Sequence, residues 1–141
     1  MTASAVDRTY TETPVAGHTE MHIEAHAQYF TVDTRREGGV QVVVVRGELD
    51  MATAPVLRSV LATVRDRFPP RVELDLSGVT FLDAYALAVL HLAVRSTPGN
   101  RRLVLRNPSR AVRRVLHLTG LDTAFAGTQP TPRLDRARRA G

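Results

Sequence analysis

Val72-Glu73-Leu74-Asp75-Leu76-Ser77-Gly78-Val79-Thr80-Phe81-Leu82-Asp83-Ala84-Tyr85-Ala86 is the stretch that decides the fold. Val72, Leu74 and Leu76 alternate with acids, the period of two expected of a strand. Ser77 to Leu82 reads as a loop. Asp83 then suits the N-cap of a helix, because a short carboxylate accepts bonds from the unpaired amides of a first turn, and the apolar run from Leu87 to Val94 follows directly. Such a helix start concentrates unsatisfied N–H groups and positive dipole, so a hydroxyl there would be a natural carrier of phosphate. The two positions after the cap are Ala84 and Tyr85.

Outward from this stretch, strands and helices alternate. Tyr29 to Val32 reads as a first strand, and Glu37-Gly38-Gly39 as a turn into Val40 to Val45, a valine run that signals a strand buried on both faces. Thr53 can cap the next helix, with Pro55 tolerated in its first turn. Val56, Leu57, Val60, Leu61, Val64 and Phe68 recur there at helical spacing, and Pro69-Pro70 ends it. The helix after Asp83 carries almost no charge before Arg95, so most of its circumference should be covered. Pro98-Gly99-Asn100 makes a turn and Leu103 to Leu105 a short strand. Ser109 caps a last helix bearing Val112, Val115 and Leu116, and Gly120 sits where a left-handed terminator is expected. The predicted architecture is α/β, a mixed sheet of four to five strands against three to four helices.

Three separated motifs carry a resemblance: Gly47-Glu48-Leu49-Asp50, the segment around Asp83, and Asn107-Pro108-Ser109 through Leu118-Thr119-Gly120-Leu121. In this order they resemble the STAS family, and within it the bacterial anti-sigma-factor antagonists, over residues 29 to 127. The resemblance implies a binding module and no enzyme. It implies docking to an anti-sigma factor, itself an ATP-dependent serine kinase, which frees a sigma factor for transcription. The implied contact surface runs from Thr80 to Leu87 with Asp50 to Thr53 alongside, and the residues singled out in it are Asp50, Ala52, Thr53, Thr80, Asp83, Ala84, Tyr85, Ala86 and Leu87. The family's usual wording after the aspartate is Asp-Ser-Ser-Gly, with the second serine phosphorylated by the partner. This chain has Tyr85 there and Ala86 at the glycine, a degenerate phosphosite that puts the usual switch in doubt. The alternative is a scaffold or regulatory subunit of a signalling or transporter complex, since STAS domains also serve there.

Composition narrows the chemistry. The 141 residues suit one domain, taken as residues 29–127 between a flexible extension over 1–28 and a basic flexible tail over 128–141. With no cysteine there is no disulfide, thiolate nucleophile or cysteine-held zinc. All 19 basic residues are arginine, which excludes a Schiff-base or phosphate-loop lysine. No apolar run reaches the length of about 18 residues that spans a bilayer, and no secretory leader is visible, so a cytoplasmic place is expected. The net charge of +5 is uneven: Arg8 stands against Asp7, Glu12, Glu20 and Glu24 in the extension, whereas the tail has Arg133, Arg136, Arg138 and Arg139 against Asp135. A basic balance can attract nucleic acid or an acidic protein, but no DNA-binding helix pair, zinc finger or aromatic RNA motif accompanies it, and no direct nucleic-acid contact is expected.

The remaining constellations read as structural. Glu48, Asp50, Asp75 and Asp83 have no ligand spacing and no partnered histidine, and suit turns, caps and a strand end. His18, His22 and His26 would share one face if the extension were helical, which its composition does not favour. His91 reads as a core or edge residue and His117 as exposed. Ser77 and Thr80 read as turn chemistry. No cofactor, metal or catalytic residue is expected. The sequence leaves the oligomeric state open between monomer and homodimer.

Overall fold

The valine run lies at the middle of a six-stranded sheet, where hydrogen bonding to a strand on each side and apolar side chains on both faces take Val42 to Val45 out of water. The computed structural model describes residues 8–15, 18–25, 29–67, 71–96 and 102–122. Among these the strands are β1 (Arg8–Val15), β2 (His18–Ala25), β3 (Phe30–Glu37), β4 (Val40–Leu49), β5 (Arg71–Leu82) and β6 (Arg102–Arg106). The helices are α1 (Ala54–Asp66), α2 (Ala84–Arg95) and α3 (Arg110–Leu118). Sheet order follows chain order; β1 to β4 pair antiparallel, and β4, β5 and β6 are parallel. The mixed α/β fold is the expected one, with one more strand than the upper expectation.

The extra width comes from residues 8–25, expected to be flexible. They form a hairpin that extends the sheet beyond β3, with His22 to Ala25 paired against Phe30 to Asp33. Met21 and Ile23 are buried in the core while His22 and Glu24 face the other way, a period of two that marks a strand. Two apolar side chains suffice because the edge of β3 is already in place to satisfy the backbone of β2. His18 and His22 therefore lie on a strand and not on a helix. Four residues along a strand separate His18 from His22 by about 13 Å, and His26 lies outside the described residues. The Pro69-Pro70 and Pro98-Gly99-Asn100 segments and the 128–141 tail lie outside them as well.

One core joins all three helices to one face of the sheet. Val43 and Val45, Val72, Leu74 and Leu76, and Leu103 and Leu105 meet Leu57, Val60, Leu61 and Val64 of α1, Leu87 and Leu90 of α2, and Val112 and Leu116 of α3. Helix α2 is less covered than its composition implied, with Leu92 64% exposed. Ser109 caps α3 by accepting from the Val112 N–H at 3.2 Å, and Gly120 ends that helix with φ +72°, as the sequence predicted.

The opposite face is charged and ordered into rows. In register across five strands stand His22, Asp33, Val44, Asp75 and Arg106, and beside them Arg35, Val42, Glu73 and Val104. Arg106 is buried and donates from Nη1 to Glu37 at 2.9 Å and Glu73 at 3.1 Å. Asp75, expected to close a strand, is instead internal to β5 and accepts from both the N–H and the hydroxyl of Ser77. Ser77 to Leu82, read as a loop, thus continues β5. The alternation misled because the pairing with β4 shifts register between Val44 and Arg46 and again after Gly47. Gly78 is required where Arg46 crosses it, since a Cβ there would lie 2.7 Å from the Arg46 side chain.

Candidate functional site

Parallel strands β4 and β5 end side by side, with Leu49 opposite Leu82, so the turns that follow them are neighbours at one end of the sheet. The first runs over residues 50–53 into α1 and the second is the single residue Asp83 before α2. In parallel sheets this end, past the carboxyl termini of the strands, is where loops are free to meet other molecules.

Asp83 ties the two turns together. Its Oδ1 accepts from the Ala86 N–H at 2.8 Å, the N-cap bond predicted from sequence. Its Oδ2 accepts from the Met51 N–H at 3.0 Å, and its own N–H donates to the Leu49 carbonyl at 3.2 Å. Asp50 organises the first turn in the same manner, Oδ1 accepting from the N–H groups of Ala52 at 2.9 Å and Thr53 at 3.1 Å. Thr53 does not cap α1 with its side chain as expected. Its hydroxyl is drawn the other way, accepting from the Asp50 N–H at 2.9 Å and donating to the Glu48 carbonyl at 2.8 Å. Pro55 in the first turn of α1 leaves fewer amides for a cap to satisfy.

These bonds hold out a set of apolar side chains. Met51 is 66% exposed, Phe81 49% and Tyr85 41%, with Ala84 and Thr80 also exposed. Both Asp83 oxygens and Asp50 Oδ1 are taken up by these backbone bonds, so the two turns present hydrocarbon and an aromatic hydroxyl. Of the residues named from sequence, Thr80, Ala84 and Tyr85 lie on the surface, and Asp50, Ala52 and Asp83 are half-buried. Thr53, Ala86 and Leu87 are buried beneath this knuckle. Sequence reading included Met51 and Phe81 in the two segments but did not single them out. The signal for Met51 was an apolar residue inside an Asx turn. Phe81 was concealed by the register shifts that turn it outward next to buried Leu82.

A second polar cluster stands on the helix-free face, remote in sequence from the knuckle. The His22 ring hydrogen-bonds Asp33 through Nδ1 and lies 3.3 Å from Glu24 through Nε2. The Asp33 bond holds its pKa above the ordinary histidine value, against partial desolvation. Arg106 holds the Glu37 carboxyl below its ordinary range, with Arg35 adding to the effect. The His22–Asp33 and Arg106–Glu37 pairs each join two different strands.

The family model described as Mlab, STAS domain matches residues 32–128. The chain belongs to the STAS family. This STAS chain is 30% identical over 95 residues to the anti-sigma-F factor antagonist RsfB of Mycobacterium tuberculosis, a match spanning 67% of this chain and 78% of that protein. Its fold is similar to the crystal structure of an anti-sigma factor antagonist from Mycobacterium paratuberculosis, with a TM-score of 0.63 and 37% identity over 79% of this chain and 92% of the other. The structure of the Bacillus cell fate determinant SpoIIAA in its phosphorylated form shares the fold alone, with a TM-score of 0.55 and 18% identity over 78% of this chain and 99% of that one. None of the helices among the described residues is long and apolar enough to cross a membrane.

Proposed function

We propose that this chain is an anti-sigma-factor antagonist that binds an anti-sigma factor through the knuckle formed by residues 50–53 and 80–85, and so releases a sigma factor. The observation that carries this is the exposed trio Met51, Phe81 and Tyr85, held out by the Asp83 bridge at the loop end of the parallel strands. An aromatic with an apolar body and a polar tip, flanked by a long flexible Met, is the composition that anchors protein interfaces. The relatives carrying the antagonist name support the same reading.

The proposal includes the loss of the usual switch. Phosphate adds a charge of about −1.5 to −2 at neutral pH, which would place repulsion and a desolvation cost at the centre of such a surface. Neither residue after the Asp83 cap is a serine: Ala84 has no hydroxyl, and Tyr85 carries a phenol in place of the aliphatic alcohol that a serine kinase modifies. The chain then remains competent whatever the activity of a kinase-type partner.

The test incubates the purified chain with ATP and each anti-sigma kinase encoded in its own genome, followed by pull-down and intact mass. The expected result is binding to one of them with no gain of phosphate, weakened about tenfold or more by Tyr85→Ala or Met51→Ala. Failure to bind any of them overturns the function, and a phosphate gain that releases the partner overturns the loss of the switch.

A further inference from the structure

Beside the knuckle, the end of β5 and the exposed side of α3 enclose a half-open groove of about 490 Å³. Among the described residues Phe81, Leu82, Ala111 and Val115 form its apolar floor, and Arg110 and Arg114 stand along its wall. Helix α3 has no acid in its sequence Arg-Ala-Val-Arg-Arg-Val-Leu-His-Leu. Neither groove arginine forms an ion pair among the described residues, whereas Arg35, Arg46, Arg71 and Arg106 of the sheet are each matched to a carboxylate. The groove is therefore an apolar slot with uncompensated positive charge along it. Phe81 belongs both to its floor and to the knuckle, so the two surfaces are continuous.

We propose that this groove is a second docking area for the same protein partner, taking an acidic segment that lays an apolar side chain on the floor while its carboxylates meet Arg110 and Arg114. Charge complementarity selects the acid, because planar guanidinium groups pair with carboxylates in forked geometry and are weakly enough hydrated to do so at an interface. The apolar floor selects a peptide over a nucleic-acid backbone, which has no hydrocarbon side chain to lay on Phe81, Leu82, Ala111 and Val115. The proposal rests on the docking function above, to which it adds the partner's chemistry and a source of steering during encounter.

The experiment measures binding of the anti-sigma factor found in the pull-down to the whole chain and to an Arg110→Glu/Arg114→Glu double variant. An Arg58→Glu/Arg95→Glu variant controls for net charge, and circular dichroism verifies folding. Loss of about tenfold or more in the groove variant alone, with a shallower salt dependence, is the expected result. Unchanged affinity in the groove variant overturns the groove proposal while leaving the docking function intact. In parallel, ¹⁵N-labelled chain is titrated with a short amidated peptide of Glu and Leu at helical spacing, and separately with duplex DNA. Peptide-induced shifts at Phe81, Ala111 and Val115 that the groove variant abolishes support the groove even where no anti-sigma factor binds. Absence of such shifts, or their appearance with DNA instead, overturns it.

Discussion

Asp83 should be worth more to this protein than an ordinary helix cap, because its two oxygens serve two different loops. Truncation in Asp83→Ala removes the acceptor for the Ala86 N–H, a loss of about 1 kcal/mol for a typical cap. It also removes the acceptor for the Met51 N–H, a hydrogen bond to a charged group worth about 1.5 to 3 kcal/mol. Met51 is exposed, so water recovers part of the second loss, and about 2 kcal/mol in total is expected. Asp83→Asn separates the two contributions. An amide offers one oxygen and one NH2, so either the Ala86 or the Met51 N–H must face a donor. Because asparagine caps as well as aspartate, the amide settles with its oxygen on Ala86 and gives up Met51, at a cost of about 1 kcal/mol. Urea unfolding measures both variants, and hydrogen exchange at Met51 and Ala86 shows which bond is lost. Binding should fall in both, since the turn that carries Met51 is released. Asn as stable as the parent with unchanged protection at Met51 would refute the bridge, and so would an Ala variant within about 0.5 kcal/mol of the parent.

Further outcomes follow from the charged face. Replacing buried Arg106 by methionine strips Glu73 of one of its two 3.1 Å partners, Arg71 being the other, in a place where its carboxylate is almost out of water, and should cost about 2 kcal/mol in urea unfolding, whereas Glu37→Gln, at an exposed position, should cost under about 1 kcal/mol. The depressed Glu37 carboxyl contributes stability that is present above its unfolded pKa and lost as pH falls through its lower folded pKa, so Glu37→Gln should flatten the acid limb of the stability profile. His22 has the opposite sign. Its folded pKa is raised, so its contribution is complete below the unfolded value of about 6.5 and disappears as pH rises through the folded value. His22→Gln should therefore remove a fall in stability on the alkaline side of 6.5, read from unfolding curves across pH; a parent protein whose stability is level through that window would contradict the Asp33 pairing.

The elements legible from sequence were those whose pattern is local. The alternation in Val72 to Leu76, the helical spacing from Val56 to Val64, and the Asp83 and Ser109 caps each express one chain segment's own geometry, and each stands where it was expected. Misreadings arose where a partner strand decides. Ser77 to Leu82 looked like a loop because its polar and small residues break the alternation, yet pairing with β4 carries the strand through two register shifts. The hairpin over residues 8–25 looked mobile because neither of its strands has a core of its own, and only the free edge of β3 makes it a strand pair. Within the knuckle, sequence singled out Tyr85 and Asp83 and passed over Met51 and Phe81 in the same segments, because their exposure depends on how two turns distant in the chain are laid together.

What the chain determined by itself was the succession of strands and helices, the caps, and the absence of thiol and lysine chemistry, because these depend on residue type and on contacts a few positions apart. What only the tertiary structure decided was which carboxylates are structural and which apolar side chains are left out in water. Asp83 satisfies a helix at one oxygen and a turn 32 residues earlier at the other, and that division exists only once β4 and β5 lie parallel. The same pairing delivers Met51, Phe81 and Tyr85 to one end of the sheet, where burial of their neighbours leaves them as its exposed apolar surface.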